Sequence, residues 1–123
     1  MFDWKKPTVQ LLGRFQPWHD GHLELFKRAY AKTGQVMIQI RDVNGVEDNP
    51  FDFNTVKANI IEGLNSHSFH IGKQYDIMLV PNITEIVYGR GVGYAITEEV
   101  LDEATQEISA TKIREQMRKD GTL

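Results

Sequence analysis

The sequence predicts an α/β domain built on a small, mostly parallel sheet, and three observations predict it. Thr8–Leu12 and Gln35–Ile40 are apolar runs of strand length. Between them, Leu23, Phe26, Ala29 and Tyr30 recur at helical spacing over residues 21–33, with Glu24, Lys27, Arg28 and Lys32 at the intervening positions. Gly34 then supplies a helix stop immediately before the second strand.

The remaining elements follow in order. Residues 41–53 contain Asn44-Gly45 and Asn49-Pro50 and read as a loop. A second helix is expected over Asn54–Leu64, where Val56, Ile60 and Leu64 fall on one face, and Ser66–Gln74 is irregular. Tyr75–Val80 and Glu85–Tyr88 have strand character, Gly89-Arg90-Gly91-Val92-Gly93 is a turn, and Tyr94–Leu101 suits an outer strand without demanding one. A last helix is expected from Thr111 to about Lys119. One junction conflicts with this scheme. A parallel crossover takes about a dozen residues, and only Pro81–Thr84 separate the third strand from the fourth. Either the sheet is abbreviated there or one of those strands is misassigned.

Bulk properties narrow the function. A chain of 123 residues, 41% hydrophobic and 25% charged, suits one domain, 1–123, with an ordinary core. No apolar run approaches the roughly 20 residues of a membrane span, and the Met1–Pro7 start is not that of a signal peptide. A cytoplasmic location is the resulting expectation. The absence of cysteine excludes disulfides and thiolate metal sites. A formal charge of −3 provides no global attraction for nucleic acid or an anionic membrane, so neither is expected as a partner. Size leaves a homo-oligomer open. Any anion must meet locally gathered cations, and two such clusters exist.

The first is Gly13-Arg14-Phe15-Gln16-Pro17-Trp18-His19-Asp20-Gly21-His22, a strand end and turn that open the first helix. It sets two imidazoles and a guanidinium where free N–H groups and the helix dipole favour anions. His19 and His22 share a helix face at a spacing of three. Alone, such a pair also suits capping histidines, or two ligands of a metal lacking a third. The turn before it favours phosphate: Gly13 lets the backbone bend, Arg14 adds a planar fork and Pro17 stiffens the approach. The second cluster is Ile108-Ser109-Ala110-Thr111-Lys112-Ile113-Arg114. Its bland reading is a Ser or Thr cap followed by solvated charges. Cations in a first helical turn oppose the dipole by roughly 0.3–1 kcal/mol, and an anion docked on Lys112 and Arg114, with the Ser109 and Thr111 hydroxyls as donors, would relieve the conflict.

These two segments, in this order and this far apart, resemble the H-x-G-H and I-S-x-T-x-x-R signatures of the nucleotidylyltransferase superfamily. The form G-R-F-Q-P-x-H-x-G-H, with Asn49-Pro50-Phe51 after the second strand, is most similar to archaeal-type nicotinamide mononucleotide adenylyltransferases. Cytidylyltransferases usually carry G-T-F-D at that point. The resemblance implies a Rossmann-like three-layer α/β/α fold with about five strands in the order 3-2-1-4-5. It implies transfer of a nucleotidyl group, AMP favoured, from a nucleoside triphosphate to a small phosphorylated acceptor, nicotinamide mononucleotide among them, with release of pyrophosphate. The chain is shorter than that group, chiefly between the third and fourth strands. A cytidylyltransferase using CTP, or a nucleotide-binding regulatory module without turnover, therefore remains an alternative.

The resemblance also distributes roles. His19, His22, Arg14 and Arg114 act on the phosphates at the transition state. Gly13, Phe15, Gln16, Gly21, Gly89, Arg90, Ser109 and Thr111 meet the nucleotide; read from the residues rather than the resemblance, Trp18 as a ring able to stack on a base and Arg41 at a strand's carboxyl end are the acceptor contacts expected. Mg²⁺ is expected, held mainly by substrate phosphates and water rather than by protein ligands. From the residues themselves, Trp18 equally suits a cover over the helix start, Arg41 a surface charge, and Gly89–Arg90 a plain tight turn. The Gly89-x-Gly91-x-Gly93 pattern lacks the following helix of a dinucleotide fingerprint. His67 and His70 read as loop residues, and Phe51 and Phe53 as core.

Overall fold

The computed structural model describes residues 1–43, 49–91, 93–101, 105 and 109–122. The expected Asn44-Gly45 turn, Val92 and Ile108 lie outside them. The elements run β1 (Val9–Gly13), α1 (Asp20–Thr33), β2 (Val36–Arg41), α2 (Phe53–Asn65), β3 (Tyr75–Val80) and α3 (Ala110–Lys119). The strands form one parallel sheet in the order β1-β2-β3.

Register explains the core. Val9 pairs with Val36 and Val36 with Tyr75, while Leu11 pairs with Ile38 and Ile38 with Ile77. Side chains alternate across a strand, so these rows share one face of the sheet. Leu23, Phe26 and Ala29 of α1 and Val56, Ile60 and Leu64 of α2 belong to the same buried cluster. Consecutive strands joined by right-handed crossovers must place both helices on one side, as seen here. The opposite face carries a more polar row: Gln10 Nε2 donates to Gln39 Oε1, and Gln39 Nε2 lies 3.7 Å from Met78 Sδ.

The ends of the elements follow local chemistry. Gly34 closes α1 in the left-handed region (φ 77°) and donates to the Tyr30 carbonyl. The Asp52 side chain accepts from Thr55 N at 2.8 Å to start α2, and Ser109 caps α3 by accepting from Lys112 N. Gln35 is buried; its amide accepts from Asp3 N and donates to the Asp3 carbonyl and Thr8 Oγ1, which ties the N-terminal segment to the base of the sheet.

The expected sheet of about five strands is corrected to three, and the described residues form the 3-2-1 half of the expected order. Neither Glu85–Tyr88 nor Tyr94–Leu101 joins the sheet. For Glu85–Tyr88 the short junction accounts for this: Pro81–Thr84 cannot carry the chain back along the sheet for a fourth parallel strand. No strand therefore lies beyond β1 among the described residues, so the order does not reverse to carry a third layer. Residues 81–91 and 93–101 instead run without regular structure, and Glu99 ties them to α1 through Lys32 Nζ at 2.6 Å. No helix among the described residues is long and apolar enough to cross a membrane.

Candidate active site at the β1–α1 turn

The candidate site stands at the carboxyl end of β1, where open parallel sheets place ligands. Gly13 ends the strand because the Phe15 ring lies against it: a Cβ on Gly13 would stand 2.8 Å from Phe15 Cζ. Phe15 itself takes a left-handed backbone (φ 51°), a conformation that costs a non-glycine residue about 1–2 kcal/mol. Its buried ring packs edge-on to His22, with centroids 4.9 Å apart, and offsets part of that cost. The turn is thereby held as a bend over the core, and Arg14 is left exposed at its start.

His19 and His22 form one unit. The rings stack at 3.8 Å with a 20° tilt. His19 is the N-cap of α1 and its Nδ1 accepts from Gly21 N at 3.0 Å, while His22 Nδ1 accepts from His19 N at 3.1 Å. A ring nitrogen that accepts an N–H is unprotonated, so the neutral tautomer of each ring carries its proton on Nε2. Burial keeps the rings neutral. It lowers His22 to about 3, helped by the neighbouring His19, and lowers His19 as well, against the opposing pull of Asp20. The pair is thus two oriented neutral N–H donors. Gly21 is required beneath them, since a Cβ there would stand 2.8 Å from His19 Cε1.

The late segment reaches this turn. Arg114 is buried at 4% exposure, although it lies on a helix whose other charges are exposed. Its Nη1 donates to the Gln16 carbonyl across 98 residues of chain, and its Nη2 donates to Thr111 Oγ1 at 3.3 Å. Arg114 Nε is buried without a hydrogen-bond partner. The Thr105 carbonyl also lies 3.8 Å from where a Cβ on Gly21 would be. Gly13, Phe15, Gln16, Gly21, His19, His22, Thr111 and Arg114 are therefore gathered at one turn, with Ser109, five residues before Arg114, as the cap of α3.

Trp18 borders this turn, and the remaining candidates fall elsewhere. Trp18 lies on α2 at Gly63, where a Cβ would meet the indole at 3.0 Å, and its ring is 5.3 Å from His22. It walls a concavity of about 460 Å³ whose far side is Asn59, Glu62 and His67. Arg41 ends β2, where Nη2 donates to Asn82 Oδ1 at 2.7 Å and Nε is buried without a partner. Gly89 and Arg90 are exposed in the segment after β3, where the Arg90 carbonyl accepts from Tyr94 Oη. Among the described residues no hydrogen bond or ring contact joins them to the histidines. Phe51 and Phe53 pack on the core, and His70 stays in the loop after α2. Sequence reasoning missed Asn82, Gly63 and the Glu62 wall of the concavity. Only Gly63 carried a signal, as a glycine inside a helix.

Comparison with known proteins finds no matching family model. A curated nicotinamide-nucleotide adenylyltransferase of Methanococcus aeolicus is 26% identical over 127 aligned residues, spanning 91% of this chain and 72% of that protein. This similarity supports a nucleotidylyltransferase family for the chain, at the level of the general class.

Proposed function

We propose that this protein transfers an adenylyl group from ATP to a small phosphorylated acceptor, a nicotinamide mononucleotide being the acceptor that the named relative suggests. One observation carries the reading: Arg114 of the late segment is bonded to the carbonyl of Gln16 inside the histidine turn. An oxygen of the acceptor phosphate attacks the α-phosphorus, the bond from that phosphorus to the bridging oxygen breaks, and pyrophosphate leaves with the electron pair. The second pKa of a phosphate monoester is about 6, so the nucleophile is already anionic and needs no general base. The protein's work is alignment and stabilisation of charge.

The residues suit that work. His19 and His22 supply neutral Nε2–H donors whose orientation the capping bonds set before substrate arrives. Arg14 and the N–H groups of the turn receive the triphosphate. Arg114 brings a buried guanidinium with an unused Nε donor, and Ser109 and Thr111 supply hydroxyls for the departing pyrophosphate. The group that the resemblance implies in addition is Mg²⁺. Among the described residues no cluster of three or more His, Cys, Asp or Glu gathers to cage an ion. The donor set suits an ion carried in by phosphate oxygens, with Asp20 as the one carboxylate of the Gly13–His22 stretch. Bound there, it would neutralise charge on the triphosphate. Trp18 and Arg41 serve the acceptor.

A second reading has its own support. The sheet lacks any described strand beyond β1, which favours a nucleotide-binding module without turnover. Pyrophosphate release with ATP and with CTP, against a panel of phosphorylated acceptors, separates the readings. We expect release with ATP and a fall of about a hundredfold or more in His19→Ala and His22→Ala, the range seen when one oriented donor is lost. Release with CTP alone would replace the nucleotide, and triphosphate binding without release would favour the module.

A further inference from the structure

Gln16 is 3% exposed, and its side-chain amide is occupied by protein. Nε2 donates to the Phe51 carbonyl and Oε1 accepts from Phe51 N, each at 3.0 Å. Its main-chain carbonyl accepts from Arg114. One residue thus touches three segments far apart in sequence: the β1–α1 turn, the stretch entering α2 beside the Asp52 cap, and α3. We propose that Gln16 is a positioning residue, whose amide holds the peptide plane that seats Arg114; this rests on the transfer reading above.

Two parallel bonds to one backbone residue fix rotation as well as distance, whereas a single bond leaves a hinge. The amide therefore holds the Gln16 backbone from the side of Phe51, and with it the direction of the carbonyl. Arg114 depends on that direction. Its other described bond is to Thr111 of its own helix, which cannot tie the guanidinium to the turn. Without the amide clasp, the carbonyl is free to swing and Arg114 loses its alignment; the Gln16 side chain, expected from the sequence to meet the nucleotide, is instead spent on Phe51. A merely structural role predicts something different: general loosening lowers activity toward both substrates alike, and its effect multiplies with that of any other substitution.

A double-mutant cycle with Gln16→Met and Arg114→Lys tells these apart. Gln16→Met should lower kcat/KM for ATP about tenfold while the acceptor KM moves less than about threefold. The double variant should be within about threefold of Arg114→Lys alone, because the two changes remove the same interaction. Losses that multiply, or equal rises in both KM values, would overturn the positioning role. If Gln16→Met melts below the assay temperature, Gln16→Asn goes through the same cycle; it keeps an amide but is one methylene too short to reach both Phe51 groups. If the unmodified protein releases no pyrophosphate with any acceptor, the transfer reading fails by itself. The cycle is then scored on binding of inorganic tripolyphosphate, followed by tryptophan fluorescence. The same non-additivity is expected there, and independent losses or no binding at all would overturn the role of Gln16.

Discussion

At the scale of single residues, the two histidines act first on each other and on the helix. Because each Nδ1 accepts a backbone N–H, the rings are ordered before any ligand binds. That order depends on a glycine. Gly21→Ala would set a methyl group 2.8 Å from His19 Cε1 and rotate the ring off its cap. Alanine also improves helix propensity by up to about 1 kcal/mol, so the expected result is near-unchanged thermal stability with about a tenfold loss of transfer activity. Steady-state kinetics beside a melting curve checks this, and unchanged kinetics would remove the pair from the reaction.

The same rings set a pH response. Both folded-state values lie below the ordinary 6.5, His22 at about 3. Protons are therefore taken up more readily by the unfolded chain. The stability that depends on neutral rings is complete above about pH 6.5 and is lost progressively as pH falls toward 3. Asp20 beside His19 opposes the effect at that ring. Chemical denaturation between pH 7 and 4 should show the decline. His22→Asn, whose side-chain oxygen can still accept from His19 N, should flatten it.

At the scale of elements, the turns do as much as the helices to place the site. Gly34 ends α1 with φ 77°, and nothing lies within 4 Å of where its Cβ would be. A change there reads the backbone alone. Gly34→Ala is expected to cost about 1–2 kcal/mol, the penalty of a left-handed L-residue, and Gly34→Asn distinctly less. Urea titration with an unchanged slope would verify it. The α3 element shows how an amphipathic pattern misleads. Its charges look solvated from spacing alone, yet Arg114 is buried against Gln16. A guanidinium among exposed neighbours finds its partner only across the fold.

At the scale of the whole molecule, three strands and two helices enclose a single core centred on Phe26, which is fully buried and meets Phe69 and Tyr75 edge-on at 4.9 and 5.8 Å. Phe26→Ala should cost about 3–5 kcal/mol, seen as a large drop in melting temperature. It should also loosen α1 beneath the histidines. Beyond β1 the molecule is open. The chain after β3 borders a cleft of about 780 Å³ along that strand and leaves Ile86, Val87, Tyr88 and Ile96 exposed. Thus the side of β1 away from β2 is bounded by irregular chain rather than by a strand.

By itself the sequence determined the β-α-β-α-β run, since apolar periodicity and the Gly34 stop act over a few residues and need no distant partner. Tyr75–Val80 and the last helix were legible for the same reason. The two anion-favouring clusters were also visible, because motif spacing is a local property. Only the tertiary structure decided that Arg114 meets Gln16, that the Gln16 amide is spent on Phe51, that Trp18 rests on Gly63, and that the sheet stops at three strands among the described residues. Those outcomes turn on contacts between residues tens of positions apart, and on whether a short junction can carry a crossover. Neither is written in the pattern of any one segment.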